Sequence, residues 1–210
     1  MKTILFTLSL ILFSVSATAW DIEIGTGATH YKTAHDGLWY QEAYPHSFDL
    51  KSTPMSFGVS HEYNGIRYRA QYVYLGQMFS NAVWVSDNDY VVGSVLKEPV
   101  YIGNGTGRVS GIILSASRPV PLFGLPFYVE AGPFFYMPTW KVTILRAKTR
   151  EYLYDLETTS QWRLGPAIGF GLRHSGIDVS VKYLGMQHRS NEPYPTIYDR
   201  AYMLDMKVFF

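Results

Sequence analysis

Two side chains near the C-terminal end have the types and spacing of an acyl-transfer site. His188 and Ser190 are two residues apart, so on an extended strand they share a face. A neutral imidazole beside a hydroxyl takes its proton as it attacks an ester, and the base then needs a carboxylate to orient it. Asn191 follows at once and offers a donor for the oxyanion. The element that must position them is the alternating stretch from residue 177, with Ile177, Val179, Val181 and Tyr183 against Asp178, Ser180 and Lys182. Its parity carries His188 and Ser190 to the side of the charged residues, unless a bulge at Gly185 turns them over.

The rest of the chain offers a catalyst little. It has no cysteine, so disulfides, thiolate nucleophiles and thiolate metal sites are excluded. His30, His35 and His46 fall in one segment, but their spacing matches no metal motif, and neither metal nor cofactor is expected. A formal charge of +1 argues against nucleic acid as a partner. Two long segments without alternation, residues 31–53 and 81–106, read as loops. They carry Trp39, Tyr40 and Tyr44, then Trp84 and Tyr90, and clustered exposed aromatics suit contact with a protein partner.

Between the loops the period is two. Residues 20–30, 55–63, 66–74, 108–117, 127–137, 161–172, the stretch from 177 to the loop at 188, and 201–210 each alternate apolar with polar or small side chains. Asn64-Gly65 is a hairpin signal, because both central positions of a type I′ turn need positive φ. Pro119, Pro121, Gly124 and Pro126 mark a second compact turn, and His174-Ser175-Gly176 a third. Pro138 is expected to end or edge its strand. Residues 141–157 form a further hairpin around Lys148-Thr149-Arg150, extending its neighbours. Short connections near 64, 120 and 175 alternate with long ones near 42, 93, 149 and 193. Short turns on one side and long loops on the other are the mark of a barrel in a membrane.

The ends agree. Lys2, the apolar run 4–15 and Ala17-Thr18-Ala19 read as a cleaved signal peptide over 1–19, which leaves 20–210 as the barrel. No later stretch is apolar enough for a helical span, so the chain can cross a bilayer only as a barrel. At the other end Tyr202, Leu204, Met206, Val208 and Phe210 alternate with Asp205 and Lys207, and the sequence stops on an aromatic. This ending resembles the C-terminal signature of bacterial outer-membrane β-barrels. The resemblance implies an all-β, eight-stranded antiparallel up-and-down transmembrane β-barrel in the outer membrane. Both termini would be periplasmic, with lipopolysaccharide around the outer half. A ten-strand count, with 141–157 crossing the membrane, is the alternative.

The His188-x-Ser190-Asn191 run also resembles the PagL-like lipid A deacylases (acyloxyacyl hydrolases), which carry a His-x-Ser-Asn motif near the end of the penultimate strand. By that resemblance Ser190 is nucleophile and His188 base. The family's orienting Glu on the last strand has no counterpart here; Asp199 is the nearest substitute and Asp205 a poorer one.

Eight strands leave a lumen filled by side chains. The inward set is Glu23, Glu62, Arg67, Arg69, Gln71, Glu130, Arg163, Asp178, Lys182, Asp205 and Lys207, nearly balanced in sign. The first functional expectation is therefore a monomeric surface barrel acting through aromatic loops that bind a partner, shield the cell or occlude a receptor. The alternative is a lipid A esterase using His188 and Ser190. A narrow pore is the third reading.

Overall fold

The computed structural model describes residues 20–33, 43–49, 51–85, 99–157, 161–186 and 198–210. At 33, 43–49, 80, 82–85, 99–100, 156 and 198 only the backbone is described. Eleven strands are present among these residues: β1 (Asp21–Thr33), β2 (Ala43–Asp49), β3 (Lys51–Ser52), β4 (Met55–Tyr63), β5 (Ile66–Val85), β6 (Pro99–Leu122), β7 (Leu125–Arg146), β8 (Tyr152–Glu157), β9 (Arg163–His174), β10 (Ile177–Gly185) and β11 (Tyr198–Phe209).

Eight of them close a ring. The order is β11-β10-β9-β7-β6-β5-β4-β1, and β1 pairs back on β11 from Glu23↔Phe209 to Thr33↔Tyr198. All pairings are antiparallel, as an up-and-down chain requires. The other three strands are extensions. β8 continues β9 along the same edge of β7: Lys141 faces Glu157 and Tyr136 faces Arg163, a shift of one residue. The 141–157 segment is thus the upper part of one long hairpin, and the ten-strand alternative falls. β2 continues β4 along β5 in the same manner, with Asp49↔Phe79 above Met55↔Tyr74. The local cause on the β5 side is Gly76, at φ 84°, inside the bulge between Tyr74 and Gln77. A Cβ there would meet the Ser52 side chain and the Thr53 carbonyl.

Strand lengths set the shape. A tilted strand needs roughly 9–11 residues to cross a bilayer. β1, β10 and β11, with 13, 9 and 12 residues, cross once. β5, β6 and β7, with 20, 24 and 22, are about twice that length and project beyond the apolar band. The opposite end is trimmed to three two-residue turns, Asn64-Gly65, Phe123-Gly124 and Ser175-Gly176, all at positive φ. The Phe209 amide donates to the Gly176 carbonyl at 3.0 Å, so the C-terminus lies at this turn end.

Several expected boundaries move. The second loop, expected over 81–106, is strand as far as Val85 and again from Pro99. Gly103, Asn104, Gly105 and Gly107 had the look of punctuation, but these glycines sit buried in a paired strand. Tyr31 is not loop; it belongs to β1, is fully buried and donates to the Gly76 carbonyl at 3.0 Å. Residues 43–49, also expected as loop, are β2. Pro138 does not end its strand. It pairs with Val109 and stands where the ladder on the β8–β9 side lapses, between Tyr136 and Lys141, so its missing N–H breaks no bond there.

The molecule is inside out relative to a water-soluble barrel. Ile168 and Val181 are 57% and 55% exposed, while Lys182 and Asp205 are 1% and 0% exposed. Ile24, Phe57, Leu114, Val129, Phe170 and Met206 join the exposed outer band. Each such side chain left in water forgoes roughly 1.5–3 kcal/mol. The band as a whole exceeds the ~5–15 kcal/mol that holds a domain folded, so lipid must cover it.

Candidate functional site

The lumen has two storeys. The lower one, toward the turns, is ionic. Arg69 is its hub, with Nε 2.7 Å from Glu23, Nη1 2.5 Å from Glu130 and Nη2 2.9 Å from Asp178. Lys182 reaches Glu130 at 2.8 Å and donates to the Gln71 side-chain carbonyl at 2.7 Å. The Gln71 amide donates to Asp205 at 2.8 Å, and Ser56 donates to the other Asp205 oxygen at 3.0 Å. Lys207 lies 3.4 Å from Asp205 and 3.6 Å from Glu23. Arg173 closes the bottom on Asp178 at 2.8 Å. Tyr128 donates to Asp178 at 2.5 Å, and Ser60 to Glu23 at 2.7 Å. Gly171 has no side chain because the Tyr128 phenol occupies its place.

Arg69, Arg173, Lys182 and Lys207 thus balance Glu23, Glu130, Asp178 and Asp205 one for one. Buried charges persist only when paired, and each of these has an oppositely charged neighbour within 4 Å. The network packs paired charges across the lower lumen. Of the expected inward set, Glu62 differs: it stands at the turn-end rim, 57% exposed, and meets Arg67 at 3.2 Å. Arg67 also pairs with Asp21.

The upper storey is apolar. Tyr31, Val73, Leu75, Met78, Val109, Phe134, Tyr136, Trp140, Leu184, Met186 and Met203 form one buried cluster. Phe134 and Tyr136 stack with centroids 5.1 Å apart. Sequence reasoning missed this layer. The available signal was lost alternation: Val73-Tyr74-Leu75 and Phe134-Phe135-Tyr136 are apolar on both parities, as strands buried on both faces must be.

The residues expected to do chemistry are only partly placed. His188, Ser190 and Asn191 lie outside the described residues. Asp199 is placed: its carbonyl accepts from the Met186 amide at 2.9 Å, and its carboxylate lies 3.4 Å from Arg200. Asp205 is held in the ionic lumen, beside Ser56, Gln71, Lys182 and Lys207. Its carboxylate is already engaged there. β10 keeps its parity past Gly185, because Leu184 and Met186 are both buried; no bulge interrupts it as far as Met186, as parity predicted. Trp39 and Tyr40, and likewise Tyr90, lie outside the described residues. Tyr44 and Trp84 belong to strands β2 and β5, not to loops.

A closed ring of eight antiparallel strands, an apolar outer wall and an ionic lumen define the transmembrane β-barrel class. The solved structures that resemble this one include three small barrels. Neisserial surface protein A (NspA) matches with a TM-score of 0.45 and 11% identity, covering 90% of this chain and 95% of that one. Ail, the attachment invasion locus protein of Yersinia pestis, solved with the heparin analogue sucrose octasulfate, matches at 0.50 and 12%, covering 91% and 99%. The outer membrane protein OprG from Pseudomonas aeruginosa matches at 0.51 and 11%, covering 93% and 98%. The fold is that of small outer-membrane β-barrels. No family model matches the chain, and none of the curated proteins does.

Proposed function

We propose that the protein is an integral outer-membrane barrel with a filled lumen, acting through its extracellular end on a protein partner. The observation that supports this most is the contrast between ends. One is cut to three two-residue turns, while at the other β5, β6 and β7 carry the chain far past the apolar band. Termini and turns face the periplasm in this reading. The long connections 34–42 and 86–98 carry Trp39, Tyr40 and Tyr90. They also carry Asp36, Glu42, Asp87, Asp89 and Glu98 against Lys97 alone. That acidic balance disfavours a sulfated saccharide such as the heparin analogue bound to Ail and favours a basic or amphipathic protein face.

The absence of native cysteine makes the test clean. In intact cells, Tyr90→Cys should react with a membrane-impermeant maleimide. Phe123→Cys, in a turn, should react only after the outer membrane is permeabilised. The reverse pattern would overturn the orientation. A photo-crosslinker at Trp39 should give an adduct of discrete mass that disappears when 86–98 is replaced by a short turn. Retained adduct formation after that replacement would sink the loop reading. Planar-bilayer recordings should show no discrete openings, since the ionic layer fills the lumen.

The second reading is a lipid A deacylase-type esterase with Ser190 as nucleophile, His188 as base and Asn191 at the oxyanion. Its support is the position of Asp199, paired with Met186 at the end of β10, two residues before His188. Lipid A from expressing cells, compared by mass spectrometry with cells carrying Ser190→Ala, decides it. Identical acylation in the two ends the enzyme reading.

A further inference from the structure

Above the apolar band the tall side of the barrel shows a polar panel on its outer wall. Three cross-strand rows build it. The lowest is Gln77↔Arg108↔Thr139, the next Phe79↔Thr106↔Lys141↔Glu157, the highest Asn81↔Asn104↔Thr143↔Asp155. On the same outward parity below them come Ser110 and then Ile112, Leu114 and Phe135, which belong to the lipid-facing band. A groove of about 320 Å³ lies across the lower two rows, lined by Gln77, Thr106, Arg108, Thr139, Lys141 and Glu157. Lys141 is already committed, 2.7 Å from Asp155 and 3.3 Å from Glu157. Arg108 is exposed and makes no ion pair among the described residues; its carbonyl accepts from Thr139 at 3.3 Å, which leaves the guanidinium fork unused. Among the described residues the low side of the barrel shows no such panel. There Tyr183 and Tyr202 pack edge to face, and Arg200 is paired with Asp199.

We propose that this panel docks the phosphorylated saccharide headgroup of an outer-leaflet glycolipid. Arg108 takes a phosphate in a forked, charge-assisted contact. Gln77, Asn81, Asn104, Thr106 and Thr143 supply the amides and hydroxyls that suit sugar hydroxyls. The glycolipid is favoured because of place: a panel continuous with the lipid-facing band meets the headgroups of the same molecules whose acyl chains cover that band. The inference rests on the outer-membrane placement proposed above.

The test uses the full chain refolded in detergent and titrated with a fluorescent, O-antigen-free lipopolysaccharide. The competitors are the same lipid after dephosphorylation, phosphatidylglycerol and inorganic phosphate. Wild type should bind, and Arg108→Gln should weaken binding about tenfold. The dephosphorylated lipid should compete about as poorly as the phosphorylated lipid binds that variant. Asn104→Ala, which leaves every charge in place, should weaken binding by a smaller factor. Arg118→Gln, on the same strand near the turn end, should leave it unchanged. Wild-type affinity in Arg108→Gln overturns the proposal, as does competition by inorganic phosphate or phosphatidylglycerol equal to that of the glycolipid. Heat-modifiable gel mobility and insertion into vesicles, scored for every variant, separate the failures. A barrel that inserts but does not bind defeats this inference alone, whereas a wild-type chain that does not insert defeats the membrane reading with it.

Discussion

The two storeys of the lumen solve one packing problem with opposite chemistry. Below, Arg69 holds three carboxylates at 2.5 to 2.9 Å, and every charge has its complement. Above, Phe134, Tyr136, Leu75 and Met203 fill the same bore with hydrocarbon and rings. The ionic storey is intolerant, since each group is the counter-charge of several others. The apolar storey is forgiving, since lost contacts degrade by degrees. A slipped register would put Lys182 or Asp205 into lipid, so the lower storey also fixes which residues pair.

The comparison breaks most sharply at its hub. Arg69→Leu leaves Glu23, Glu130 and Asp178 buried beside too little positive charge, and should cost about 3–5 kcal/mol in reversible urea unfolding in phospholipid vesicles. An apolar replacement that costs less than Phe134→Ala would reverse the ranking of the storeys. Phe134→Ala should cost roughly 3 kcal/mol by the same measurement, because it empties a fully buried ring site. Ser60→Ala removes one donor from a Glu23 carboxylate that keeps Arg69, and should cost about 1 kcal/mol.

The smallest effect sharpens the contrast by moving to water. Asp155, in the projecting hairpin, has its pKa held below the ordinary value by hydrogen bonds from Lys141 and Thr143. A lowered carboxylate pKa supports the fold above the unfolded value and loses that support as pH falls through the folded one. Acidification through that range should speed amide exchange at the tip of β7 and β8 while the barrel melts unchanged. Asp155→Asn should show the faster exchange already at neutral pH.

Legibility in the sequence followed physics. The eight crossings were readable because lipid outside and charge inside force a period of two, as in Val181-Lys182-Tyr183. Asn64-Gly65 and Ser175-Gly176 were readable because few residues accept positive φ. The third turn falls on Phe123-Gly124; the prolines around it suggested a compact turn without locating it. The upper storey was not readable from alternation, because its strands are apolar on both faces at Phe134-Phe135-Tyr136. Nor were the tall ends of β5 and β6, where Gly103 and Gly105 lie in paired strand. For the chemistry, the lumen residues came straight from parity. Asp205 was placed inward by parity, but its particular neighbours, Ser56 and Gln71, are far from it in sequence and could not be read.

β11 pairs with β10 on one edge and β1 on the other, and it carries both Asp205 and Lys207. Ser56 and Asp205, which share a hydrogen bond, are 149 positions apart along the chain. The ionic storey is therefore completed only when the final stave arrives with Asp205 and Lys207 and the cylinder shuts. Any chaperone holding this protein open must shelter Ser56 and Gln71 without their carboxylate mate until that last moment.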